Sequence, residues 1–74
     1  MNVVLFTRRG CHLCERVEDL LASHSPDAVK VDVDATPEDA ARYGMRVPVL
    51  QVDGVDVLEG RIDETALVAA LGIQ

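Results

Sequence analysis

Cys11 and Cys14 are the only two cysteines among 74 residues, and just His12 and Leu13 separate them. A thiol pair spaced C-x-x-C can close a disulfide across one helical turn, and a helix N-terminus stabilises the thiolate that attacks in disulfide exchange. The run Thr7-Arg8-Arg9-Gly10-Cys11-His12-Leu13-Cys14 follows a short apolar strand, Asn2 to Phe6. Gly10 permits the turn, and Cys11 begins the helix. Apolar Leu13, Val17, Leu20 and Leu21 then form one helical stripe. Cys14 lies by that stripe, so burial and a protonated thiol are expected for it. Cys11 has the unpaired amides of the helix start instead. This asymmetry predicts that Cys11 attacks and Cys14 resolves the mixed disulfide. Arg8, Arg9 and His12 are expected to add positive charge beside Cys11. For His12 the competing reading is a solvent-facing helix residue.

Other chemistries for the same residues are weaker. A closed zinc site needs four ligands, usually from two such pairs, and the chain has one pair. No metal ligands are therefore assigned. A metal or iron–sulfur carrier using Cys11 stays open as an alternative, as does a binding module whose thiols are incidental. Asp32 and Asp34 look like paired carboxylates, but an alternating strand puts both on its exposed face, where they serve solvation. His24 is expected to interact with the last carbonyls of its helix. Tyr43 and Phe6 are read as core.

The elements that position the thiols follow from periodicity and punctuation. Val3 to Phe6 is a buried strand, and the first helix ends at His24-Ser25-Pro26. Val29 to Asp34 alternates apolar and charged residues, which predicts a strand with one wet face. Thr36-Pro37-Glu38-Asp39 starts a short helix, with Asp39 reaching back to Thr36 and Gly44 as the stop. Val47 to Val52 is a third strand, entered through Pro48. Asp53-Gly54 turns it into a fourth, Val55 to Leu58. After the loop Glu59-Gly60-Arg61, Asp63 caps a last helix, and Ile62 packs against Leu67. The order is β-α-β-α-β-β-α: a right-handed parallel βαβ unit, then a hairpin and a helix. It makes one α/β domain over residues 1–74, a four-stranded mixed sheet with helices on both faces.

Charge and composition narrow the partners. A net charge of −6 disfavours nucleic acid and anionic membrane as partners. No apolar run is long enough to span a bilayer, and no signal segment precedes the first strand, so a cytoplasmic location is expected. In that compartment a C-x-x-C pair is more often catalytic or metal-binding than a structural staple.

With order and motif together, the chain resembles the thioredoxin fold, and within it the glutaredoxin-like family, closest to its short bacterial members. The Thr7 to Cys14 run matches the family's active-site loop. Tyr43-Gly44-Met45-Arg46-Val47-Pro48 matches the approach to its special proline. The resemblance implies a cis Val47–Pro48 bond, with Pro48 packed against the thiols. It implies a thiol–disulfide oxidoreductase that needs no organic cofactor beyond its redox-active disulfide. Glutathione or a thioredoxin-reductase-type donor would reduce it, and protein or small-molecule disulfides would be its substrates. A monomer is expected. The residues implied for a glutathione or substrate site are Arg8, Arg46, Val47, Pro48, Gly60, Arg61 and Asp63. Arg8, Arg9, Arg46 and Arg61 would ring the thiols as a basic collar. The chain departs from the family where a Gly-Gly pair reads Glu59-Gly60. Glu59 places negative charge near a glutathione carboxylate and predicts weak use of that donor.

Overall fold

The computed structural model describes residues 1–72. The elements run β1 (Val3–Thr7), α1 (His12–His24), β2 (Val29–Asp32), a 3-10 turn (Val33–Ala35), α2 (Pro37–Tyr43), β3 (Val49–Val52), β4 (Val55–Glu59) and α3 (Glu64–Leu71). The sheet order is β2-β1-β3-β4. β1 pairs parallel with β2 and antiparallel with β3, and β3 pairs antiparallel with β4. This is the expected mixed sheet in the expected order.

Alternation along β1 explains why the sheet is covered twice. Val3 and Leu5 point into one core with Val17, Leu21, Leu50, Ile62, Leu67 and Leu71. That core holds α1 and α3 against one face. Phe6 points the other way, into a smaller core with Val33, Tyr43 and Val49 under α2. Phe6 and Tyr43 stack there with ring centroids 4.0 Å apart. Ile62 and Leu67 share the larger core, as the staple at the start of α3 requires.

Two strands are shorter than their sequence patterns suggest. β2 stops at Asp32 rather than Asp34, because the Asp32 carboxylate accepts the Asp34 amide at 2.9 Å and starts the 3-10 turn. A short polar side chain that captures a nearby amide competes with the strand ladder. The turn buries Val33 completely. β3 begins at Val49, not Val47, since Pro48 has no N–H to give the ladder. The Val47–Pro48 bond is cis, as expected.

Caps and turns follow the sequence closely. Thr36 accepts the Asp39 amide at 3.2 Å, and Asp63 accepts the Ala66 amide at 2.8 Å. Asp53 and Gly54 have φ values of 50° and 84°, the paired positive angles of a tight hairpin turn. Gly44 ends α2 in right-handed geometry, so left-handed freedom is not why glycine stands there. A Cβ at this position collides with the Ala40 carbonyl oxygen and lies 2.9 Å from Arg8 Nη2.

Candidate functional site

The thiol loop leaves β1 at Thr7 and turns at Gly10, whose φ of 80° suits a residue without a side chain. The Cys11 amide donates to the Arg8 carbonyl at 3.3 Å, closing the turn. Cys11 is the N-cap of α1, and its Sγ accepts the Cys14 amide at 3.2 Å. An amide aimed at the sulfur and the positive end of a helix both stabilise charge there. Cys11 is partly exposed and Cys14 is fully buried. Burial pushes the Cys14 thiol up from its ordinary value, and its hydrogen bond with Cys11 adds to that push. The Arg8 backbone amide acts in the opposite direction. One sulfur is thus reachable and helix-capped, while the other is enclosed and holds its proton.

Three loops meet around this pair through backbone and arginine contacts. Arg8 grips the Asp34 carboxylate with two bonds, Nε to Oδ2 at 2.9 Å and Nη2 to Oδ1 at 3.0 Å. Its Nη1 donates to the Gly44 carbonyl at 2.9 Å. This ties the thiol loop to the segment leading into Val47 and Pro48. The buried Pro48 in turn accepts the Gly60 amide through its carbonyl at 2.8 Å, which brings in the Glu59–Arg61 loop. Arg46 reaches Glu59 at 3.1 Å and Asp56 at 3.2 Å, and lies 5.3 Å from the Tyr43 ring centroid.

Several expected roles change in consequence. Arg8 and Arg46 are engaged by carboxylates, so the basic collar reduces to Arg9 and Arg61, neither of which has an ion pair among the described residues. Asp34 is a clamp for Arg8 rather than a solvating charge. Glu59 is neutralised by Arg46 rather than facing the site alone. Asp63 uses its carboxylate to cap α3. His12 is 99% exposed, with Nδ1 3.4 Å from Glu15 Oε2, which matches the solvent-facing reading of this residue. His24 bonds Glu64 at 2.8 Å, linking α1 to the start of α3 instead of binding its own helix end.

Two openings flank the cysteines. One, of about 300 Å³, is lined by Thr7, Arg9, Gly10, Glu15, Glu18 and Asp32, among others. The second, of about 200 Å³, lies between Leu13 and Arg16 of α1 and Arg61, Ile62 and Asp63 before α3. Sequence reasoning missed Thr7 and Glu18. The Thr7 hydroxyl donates to Glu18 Oε2 at 2.9 Å, and the available signal was Glu18's position one helical turn after Cys14. Among the described residues, no three His, Cys, Asp or Glu side chains are grouped to hold a metal ion. No helix there is long and apolar enough to cross a membrane.

Known proteins resemble this chain in sequence and fold. The model of the glutaredoxin-like domain family matches residues 2–72. Uncharacterised proteins of Mycobacterium tuberculosis and Mycobacterium bovis are 37% identical over 75 residues, covering 89% of this chain and 77% of theirs. An X-ray structure of a structural-genomics target from X. campestris superimposes with a TM-score of 0.83 at 31% identity, over 95% of each chain. The solution structure of a glutaredoxin from Brucella melitensis gives a TM-score of 0.66 at 28% identity, over 97% of this chain and 82% of that one.

Proposed function

Since this chain belongs to the glutaredoxin-like domain family and carries a C-x-x-C dithiol suited to thiol–disulfide redox chemistry, we propose a division of labour between its two cysteines. Cys11 attacks a disulfide substrate and Cys14 resolves the mixed disulfide. The observation that carries this reading is the contrast at the start of α1. Cys11 Sγ receives the Cys14 amide at 3.2 Å and is reachable, while Cys14 is sealed beneath it. Attack requires an accessible thiolate, and resolution requires only the neighbouring sulfur.

Cys11 first displaces one half of the substrate disulfide and becomes linked to the other. Cys14 then attacks Cys11, which releases the second substrate thiol and leaves the internal disulfide. Two external thiols, which leave as their own disulfide, restore the dithiol. In a reducing cytoplasm glutathione is the simplest such donor, and this protein uses it weakly. The reason differs from charge repulsion by Glu59. Arg8 and Arg46, two of the three cations implied for a glutathione site, are already paired within the chain. Arg61, beside the smaller opening, remains for an anionic substrate.

Trapping tests the roles. Cys14→Ser should accumulate a stable mixed disulfide on Cys11, and Cys11→Ser should form none. Equal alkylation rates at both thiols of the reduced protein would overturn the assignment. Glu59→Gly, which leaves Arg46 with Asp56 as its one carboxylate partner among the described residues, should raise turnover coupled to glutathione and its reductase. No change in that assay would sink the donor reading and leave the cysteine roles standing.

A further inference from the structure

Leu13 has the spacing of the buried stripe of α1, yet it is 37% exposed, while Val17 and Leu21 further along are buried. It lines the opening of about 200 Å³ together with Arg16, Arg61, Ile62 and Asp63. Ile62, rooted in the large core, adds apolar surface from the side of α3. Arg16 and Arg61 form no ion pair among the described residues. Asp63 is the one carboxylate in the lining, and it accepts the Ala66 amide at 2.8 Å, where its charge is set against the amide end of α3. The unengaged charge here is therefore positive, on a chain whose net charge is −6. Arg9, which is also without an ion pair among the described residues, lines the other opening beside the cysteines. An opening of about 200 Å³ falls below the roughly 300 Å³ at which pockets begin to enclose a whole small ligand. It suits a single large apolar side chain that belongs to something bigger.

We propose that this opening selects the substrate: protein disulfides whose cysteine is neighboured by one large apolar side chain and by acidic residues. The proposal rests on the roles assigned to the two cysteines above. The apolar side chain enters between Leu13 and Ile62, and the acidic groups lie against Arg16 and Arg61. Leu13 follows Cys11 by two residues, and Gly60, next to Arg61, donates its amide to the Pro48 carbonyl at 2.8 Å. A segment seated there holds its disulfide beside Cys11 Sγ. Net charge repels an acidic partner as a whole, so the local arginines guide it to this end of the molecule. A glutathione disulfide brings carboxylates but no apolar side chain, and it leaves Leu13 in water. Cys11 bonds to the sulfur of the seated segment, and the other substrate thiol leaves with the electron pair as a thiolate. Cys14 then displaces the segment as a second thiolate. The two cysteines lose two electrons and the substrate disulfide gains them. Leu13 and Arg61 thus determine specificity.

The test uses the fully reduced protein and three synthetic peptides, each joined through its single cysteine to an aromatic thiol that absorbs visible light when released. Beside the cysteine, the first carries leucine and two glutamates, the second leucine and two lysines, and the third serine and two glutamates. The mixed disulfide of glutathione with the same aromatic thiol is the small-molecule comparison. Each second-order rate is divided by the rate at which a neutral reagent alkylates Cys11 in the same variant, so that differences in thiol reactivity cancel. The first peptide should react about tenfold faster than the second, a difference that high salt should shrink. It should outrun the third peptide and the glutathione disulfide by about tenfold, as one apolar pocket discriminates. Arg61→Glu should reverse the order of the glutamate and lysine peptides, and Leu13→Ser should remove the preference for leucine over serine. Equal rates for the first two peptides, a glutathione disulfide as fast as the first peptide, or a preference that survives its variant would overturn the proposal. Release of the aromatic thiol by Cys11→Ser would instead overturn the cysteine roles, whatever the peptide.

Discussion

Arg8 crosses from the thiol loop to two other segments of the chain, whereas Arg46 joins side chains that lie along β4. Exposure does not separate them, since the two side chains are 37% and 35% exposed. Each grips carboxylates. Arg8 in addition donates to a backbone carbonyl, that of Gly44, and packs against the bare Cα of that residue. Ion pairs between exposed side chains contribute little on their own. A guanidinium that fixes the distance between two backbone segments sets the geometry of what those segments carry. Here they carry Cys11 on one side and the approach to Pro48 on the other. Sequence proximity to the site therefore says less about an arginine than the kind of acceptor it finds.

The largest expected effect is at the point where the Arg8 corner is tightest. Gly44→Ala places a methyl group against the Ala40 carbonyl oxygen and Arg8 Nη2, so helix end or arginine must shift. Overpacking of this kind costs about 1–3 kcal/mol, and denaturant unfolding should show a loss of that size. A variant as stable as the parent would mean that the corner is looser than described.

The second contrast is kinetic. Arg8→Ala should slow attack by Cys11 by roughly tenfold, since misplacing a reacting group is costly even when its chemistry is intact. Arg46→Ala should stay within about twofold, as expected for an exposed ion-pair network. Arg8→Lys should not restore the rate, because an ammonium cannot make the paired and third bonds together. Equal losses in Arg8→Ala and Arg46→Ala, measured by alkylation of the reduced protein, would erase the distinction between the corners.

The smallest effect is a pH dependence. Burial raises the Cys14 thiol in the folded state above its unfolded value. The stability linked to it is thus present below the ordinary thiol value of about 8.5 and is lost as pH rises through the raised value. Thermal midpoints of the reduced protein should fall on the alkaline side, and Cys14→Ala should remove that part of the fall. The Arg8 guanidinium attracts the Cys14 thiolate through space, so Arg8→Ala should extend the alkaline fall to higher pH while Arg46→Ala leaves it in place. Identical curves for the two variants would separate the Arg8 corner from Cys14.

Much of this molecule is decided by local pattern. The order of elements, the caps at Thr36 and Asp63, the Asp53-Gly54 turn and the contrast between Cys11 and Cys14 all follow from neighbours within one or two turns. Local hydrogen bonds and hydrophobic periodicity operate at that range. The early end of β2 lay at the limit of such reasoning, because Asp32 could join a ladder or capture the amide of Asp34, and alternation alone does not choose. The partners of charged side chains lay beyond it. Arg8 meets Asp34 and Gly44, Arg46 meets Glu59, His24 meets Glu64 and Thr7 meets Glu18 across separations of 11 to 40 residues. Charges interact over distance in space rather than along the chain, and only the packed sheet and helices set those distances. The sequence determined which residues could do thiol chemistry and on which element they stand. The tertiary structure decided which arginines are already engaged, and which carboxylate the buried Thr7 hydroxyl meets.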